Sequence, residues 1–151
     1  VIEAFIELYK RGSKAQITFY GGTEERLEEL RNRYDLPPTI HFKGIVDEVP
    51  YYLHQCYLSA SYTELFANAC VEALNQGLLA LLSDVEIAHR FYADKSDAIR
   101  LFRNKGQLIQ MIEEMEQADY EQSNAENIAL ASHYSLGTVA QGYRELLDRN
   151  F

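Results

Sequence analysis

Two glutamates, Glu64 and Glu72, stand with seven residues between them in the stretch 61–84. This stretch reads as strand end, loop, helix, glycine stop and strand. Glu64 therefore sits where a loop hands over to a helix, and Glu72 about two turns along that helix at about 1.5 Å of rise per residue. If the helix begins near Phe66, then Phe66, Ala69, Cys70, Ala73 and Leu74 share the face that packs inward, and Asn68, Glu72 and Asn75 fall on the other. The first-turn amides of Phe66, Ala67 and Asn68 have no partner inside the helix and lie at its positive end, which suits an anion such as a diphosphate. Glu72 could then accept hydrogen bonds from paired hydroxyls such as a ribose diol. Glu64 could engage a second polyol or a developing positive charge. Spacing alone leaves the plainer reading open, since a glutamate on the polar face of a helix is usually just solvated.

The rest of the chain reads as scaffold for that turn. Val1, Ala4, Phe5 and Leu8 recur at helical spacing up to Gly12, which can supply the left-handed stop. Ala15 to Tyr20 reads as a strand ending at Gly21-Gly22, and Thr23 caps a helix whose inner stripe is Leu27, Leu30 and Tyr34. Pro37-Pro38 ends that helix, because proline lacks an amide donor and pushes its predecessor out of helical space. Thr39 to Lys43 is the second strand, closed by Gly44; Asp47 can cap a short helix through Pro50, Tyr51, Leu53 and His54; Tyr57 to Ala60 is the third strand. After Gly77, the unbroken apolar run Leu78 to Leu82 marks a strand buried on both faces. Asp84 can cap the next element, residues 85–97 leave room for a short helix, and a fifth strand lies near Ala98 to Phe102. Asn104 caps a helix with Leu108, Met111, Ile112 and Met115 inside, followed by helices at 121–132 and 136–149.

Strands and helices alternating at this pitch mean βαβ units. The fold class is therefore α/β, a Rossmann-like doubly wound parallel sheet with helices on both faces and a helical C-terminal tail. Such sheets bind ligands at the carboxyl ends of strands. Three turns stand there: Gly21-Gly22, Lys43-Gly44, and Ser61 to Phe66.

At 151 residues and 47% apolar, the chain suits one soluble domain, 1–151. It starts at Val1 inside an amphipathic pattern, which reads as a piece of a longer chain. A net charge of −9 argues against nucleic acid as the main partner. No apolar run approaches the ~20 residues of a spanning helix. Cys56 and Cys70 lie in apolar surroundings without Cys-x-x-Cys spacing, as buried thiols of a reducing compartment do. The four histidines match no zinc pattern, so no metal is implied.

Phe42-x-Gly44, Val49-Pro50-x-x-Leu53, Ser61-x-x-Glu64-x-Phe66, Glu72-Ala73-Leu74-x-x-Gly77 and Ser83-Asp84 occur in that order. Together they resemble the donor-binding C-terminal half of retaining GT-B glycosyltransferases, and most closely glycosyltransferase family four with its E-x7-E motif. The similarity runs from Val1 to the C-terminal helices. It implies a hexosyltransferase-type parent that holds a UDP- or GDP-linked sugar, with no further cofactor and no metal. By that resemblance Glu64 is the catalytic-site residue at the donor sugar and Glu72 binds the ribose. The backbone of Phe66, Ala67 and Asn68 holds the diphosphate, and Gly21, Gly22, Lys43 and Gly44 line the nucleotide. A glycan, lipid or protein acceptor would bind through an N-terminal domain outside this chain. The resemblance also implies a cytoplasmic parent, with peripheral association at the inner face of a membrane open to it.

The chain departs from the family pattern in places. Ala67 replaces a glycine, Leu79 stands where a proline is usual, and the glycine pair after Ser-Asp is replaced by Val85-Glu86-Ile87, which brings a carboxylate toward an anionic donor. The arginine and lysine that usually clamp the diphosphate would lie upstream of Val1, so the 151 residues alone are expected to transfer no sugar. The alternative is a non-catalytic, glycosyltransferase-like partner that recognises an acceptor or assembles with an active enzyme. A third reading, an unrelated Rossmann-like module, lacks the Gly-x-Gly-x-x-Gly of a dinucleotide site.

Overall fold

The computed structural model describes residues 1–62, 68–91, 99–117 and 121–132. These form two compact units, Val1–Pro50 with Arg103–Ala118, and Tyr51–Phe102 with Asp119–Phe151.

In the first unit, α1 (Ile2–Lys10) buries Ala4, Phe5 and Leu8. It ends where Gly12 takes φ +86°, the left-handed stop read from the sequence. The strands β1 (Ile17–Tyr20) and β2 (Ile40–Gly44) pair in parallel, with Phe19 stacked on Phe42 at 5.1 Å between ring centroids. Between them runs α2 (Glu24–Arg33), capped by Thr23 Oγ1, which accepts from the Arg26 amide at 3.4 Å. Only Leu27 of the expected inner stripe is fully buried, while Leu30 and Tyr34 are half-buried. The helix stops at Arg33, before the prolines, because Tyr34 already turns to extended backbone.

The last helix of this unit, α5 (Lys105–Met115), packs on α1 and is capped by Asn104 Oδ1, which accepts from the Gln107 amide at 3.0 Å. Leu108, Ile109 and Ile112 are its buried face, so Ile109 takes the place expected for Met111 and Met115. Polar contacts tie the same pair of helices: Lys105 to Glu7 at 2.9 Å and Arg11 to Glu113 at 3.2 Å.

In the second unit a 3-10 turn (Tyr51–Leu53) precedes β3 (Cys56–Ser59). The expected helix from Asp47 is thus a single turn that begins only after Pro50. β3 pairs in parallel with β4 (Leu79–Ser83), and β4 with β5 (Ile99–Phe102), in the order β3-β4-β5. Every residue of β4 is buried, as its apolar run requires of a central parallel strand. The helix α3 (Asn68–Asn75) packs on β3, β4 and α6 (Glu121–Ser132). Cys70, Leu74, Ala80, Leu82, Ile99 and Leu130 make the heart of the core they enclose. Ala69, expected on the inner face of α3, is exposed. Buried Asn127 anchors α6 by donating to the Leu78 carbonyl. The short helix foreseen in 85–97 is α4 (Glu86–Phe91). The expected helix at 136–149 lies outside the described residues. Among the described residues no helix is long and apolar enough to cross a membrane.

Candidate functional site

The expected site residues that the structure describes gather in two places, one in each unit. In the first, the register of β1 on β2 slips by one residue: Phe19 pairs with Phe42, but Tyr20 pairs with Gly44. Lys43 is the extra residue of this bulge and is exposed. The slip brings the two glycine turns together, for the Gly21 amide donates to the Gly44 carbonyl at 2.6 Å. Gly21 and Gly44 hold φ +89° and +66°, which side-chain-bearing residues rarely adopt. Leu27 backs the corner: a Cβ on Gly22 would meet its Cδ2 at 3.4 Å, and one on Gly44 its Cδ1 at 3.7 Å. Gly21, Gly22, Lys43 and Gly44 thus gather at the carboxyl ends of two parallel strands.

In the second unit the site is built from side chains. Asn68 opens α3 and is exposed, and Glu72 is exposed one turn further on, both on the helix face that the sequence assigned to them. Glu64, Phe66 and Ala67 lie outside the described residues. What spacing did not reveal is the partner of Glu72. The Tyr51 hydroxyl donates to Glu72 Oε2 at 3.0 Å and approaches the Ala69 carbonyl at 3.5 Å. Burial first, then the hydrogen bond and negative charge of Glu72, raise the Tyr51 pKa well above the ordinary tyrosine value, so the hydroxyl remains a donor. The sequence placed Tyr51 only in the short helix expected after Asp47; no periodicity links it to a residue 21 positions away.

Two of the departures from the family pattern, Leu79 and Glu86, have local explanations. Leu79, at the position where proline is usual, donates its amide to the Gln55 carbonyl at 3.0 Å, a bond proline could not make. Glu86 is the exposed first residue of α4, where a carboxylate complements the helix dipole. Asp84 pairs its carboxylate with His89 Nε2 and its amide with the Phe102 carbonyl at 2.9 Å. Ser83, at the end of β4, has a buried hydroxyl without a hydrogen-bond partner among the described residues. Of the two cysteines expected to be buried, Cys70 is and Cys56 is half-buried, with desolvation pushing the Cys56 thiol up to about 12.

The family model for glycosyl transferases group 1 matches residues 1–129. The chain belongs to this family. Among solved structures it is similar to a chain of the GtfA/B complex, with a TM-score of 0.82 and 19% identity over 98% of this chain and 32% of that one. It is also similar to sucrose-phosphate synthase from Thermosynechococcus elongatus, at 0.74 and 18% over 98% and 42%. The pneumococcal O-GlcNAc transferase GtfA in complex with UDP and GlcNAc stands at 0.69 and 20% over 99% and 31%. At these identities the likeness establishes the Rossmann-like α/β fold, of parallel sheets with helices on both sides, as part of the GT-B architecture. The chain spans less than half the length of each of these structures. Comparison with curated proteins finds no match.

Proposed function

We propose that this chain is the donor-binding domain of a retaining glycosyltransferase that moves a sugar from a UDP- or GDP-linked donor to a glycan, lipid or protein acceptor. The observation that carries the reading is Glu72: an exposed carboxylate on the polar face of α3, held by the Tyr51 hydroxyl at 3.0 Å, in a chain of the glycosyl transferases group 1 family. A carboxylate with an oxygen free to accept suits the paired hydroxyls of a ribose. The turn at Gly21, Gly22, Lys43 and Gly44, of which Gly22 and Lys43 are exposed, would receive the nucleotide. The Asn68 amide at the start of α3, with those of Phe66 and Ala67 before it in the sequence, would receive the diphosphate, and Glu64 the donor sugar. The pneumococcal transferase bound to UDP and GlcNAc supports the choice of ligand class.

Calorimetric titration of the full-length protein with UDP, GDP and their sugars tests this. Saturable binding of one nucleotide is expected, weakened about 10- to 100-fold by Glu72→Ala, as befits the loss of one or two hydrogen bonds to a charged group. Absence of heat from every nucleotide would overturn the reading.

A further inference from the structure

We infer that Tyr51 is a positioning residue for the nucleotide site: its hydroxyl fixes the rotamer of Glu72, so that the carboxylate meets the 2′ and 3′ hydroxyls of the donor ribose already oriented. The inference rests on the proposed donor-binding reading and names the group that makes its ribose contact selective.

Glu72 is exposed on α3 and has three side-chain torsions to immobilise before it can accept from a diol at fixed spacing. Left to solvent it would sample many rotamers, and a ligand would have to select one. Tyr51 removes that freedom. Its hydroxyl donates to Oε2 at 3.0 Å, leaving Oε1 and the second lone pair of Oε2 open to accept. The hydroxyl also lies 3.5 Å from the Ala69 carbonyl, three residues earlier on the same helix. Tyr51 thus touches α3 at a backbone point and a side-chain point together.

The tyrosine is itself held in place. It opens the 3-10 turn, its carbonyl accepts from the His54 amide at 2.9 Å, and two residues after His54 the chain enters β3. Its ring is half-buried, whereas its neighbours Tyr52 and Leu53 are 80% and 66% exposed. Of the two tyrosines in the turn, the half-buried one is the one whose hydroxyl reaches α3.

The test is a cycle with two ligands. Whichever of UDP and GDP binds the full-length protein is titrated beside its 2′,3′-dideoxy analogue, against the wild type, Tyr51→Phe, Glu72→Ala and the double variant. Phenylalanine keeps the ring and its packing, and a thermal melt of each variant reads the fold directly. Tyr51→Phe should weaken the ribonucleotide about fivefold and leave the dideoxy analogue unchanged, so that discrimination between the two narrows. On the Glu72→Ala background the same change should do nothing.

Equal weakening of both ligands would make Tyr51 a support of the helix alone and overturn the inference. So would unchanged or tighter ribonucleotide binding in Tyr51→Phe, or an equal loss with and without Glu72. If a nucleotide binds and Glu72→Ala weakens it while Tyr51→Phe does not, only this inference falls. If no nucleotide binds the wild type, the donor-binding reading falls and takes the role of Tyr51 with it.

Discussion

The corner at Gly21 and Gly44 and the corner at Tyr51 and Glu72 are built in opposite ways. The first is backbone: three positive-φ glycines, a strand bulge at Lys43 and one main-chain hydrogen bond, backed by Leu27. The second is side chain: a hydroxyl, a carboxylate and an exposed helix face. A backbone corner can be altered only through conformation, so its mutations register in stability. A side-chain corner can lose one functional group while the fold stays intact, so under the proposed function its mutations register in binding.

The strongest way to break this contrast is Leu27→Ala. Removing a buried leucine that both glycine turns rest on should cost about 2–4 kcal/mol in urea denaturation and speed hydrogen exchange at the Gly21 amide. Unchanged exchange there would show that the turn does not depend on its backing. Gly44→Val should cost about 2 kcal/mol, chiefly from placing a β-branched residue at φ +66° with Leu27 beside it. By contrast, Tyr51→Phe should change stability by no more than about 1 kcal/mol, the net value of one hydrogen bond.

The two units also differ in their response to pH. Burial raises the Cys56 thiol to about 12, and burial with the Glu72 contact raises Tyr51. Both folded values exceed the unfolded ones, so in that range the folded state holds protons that the unfolded chain has released. Their stability contribution is complete below about pH 9 and is lost as the pH climbs through the folded values. Urea melts over that range should show the decline, and Cys56→Ser should make it shallower. In the first unit, hydrogen bonds from Lys105 and then Arg11 lower the Glu7 pKa, so its contribution is lost as the pH falls through that lowered value, below 4.5. Glu7→Gln should flatten this acid limb slightly, since the half-exposed side chain is screened by solvent. The smallest expected effect is Ser83→Ala, which removes a buried hydroxyl without a partner among the described residues and should leave stability unchanged or raise it by up to about 1 kcal/mol.

The same contrast explains what could be read from the chain. Glycine stops, prolines and caps act within a few residues, so the sequence placed Gly12, Thr23 and Asn104 correctly and set helix 121–132 at its observed bounds. The five strands were each found within a residue or two, because β-branched and apolar runs mark them. Burial was read less well. Leu108 and Ile112 were foreseen, but periodicity could not rank Ile109 above Met111, since the choice depends on where α1 lies across α5. The helix expected from Asp47 shrank to one 3-10 turn, with Glu48, Val49 and Pro50 between that expected cap and the first helical residue. The exposed position of Glu72 on α3 was legible from spacing, whereas its contact with Tyr51 was not, because that contact joins a turn before β3 to a helix after it and leaves no local pattern.

The most direct measurement is the crystal structure of the full-length protein with bound UDP or GDP. The account predicts both ribose hydroxyls within about 2.5–3.0 Å of the Glu72 carboxylate, with the Tyr51 hydroxyl still on Oε2. A nucleotide seated with its ribose on other residues, and Glu72 left in solvent, would contradict it.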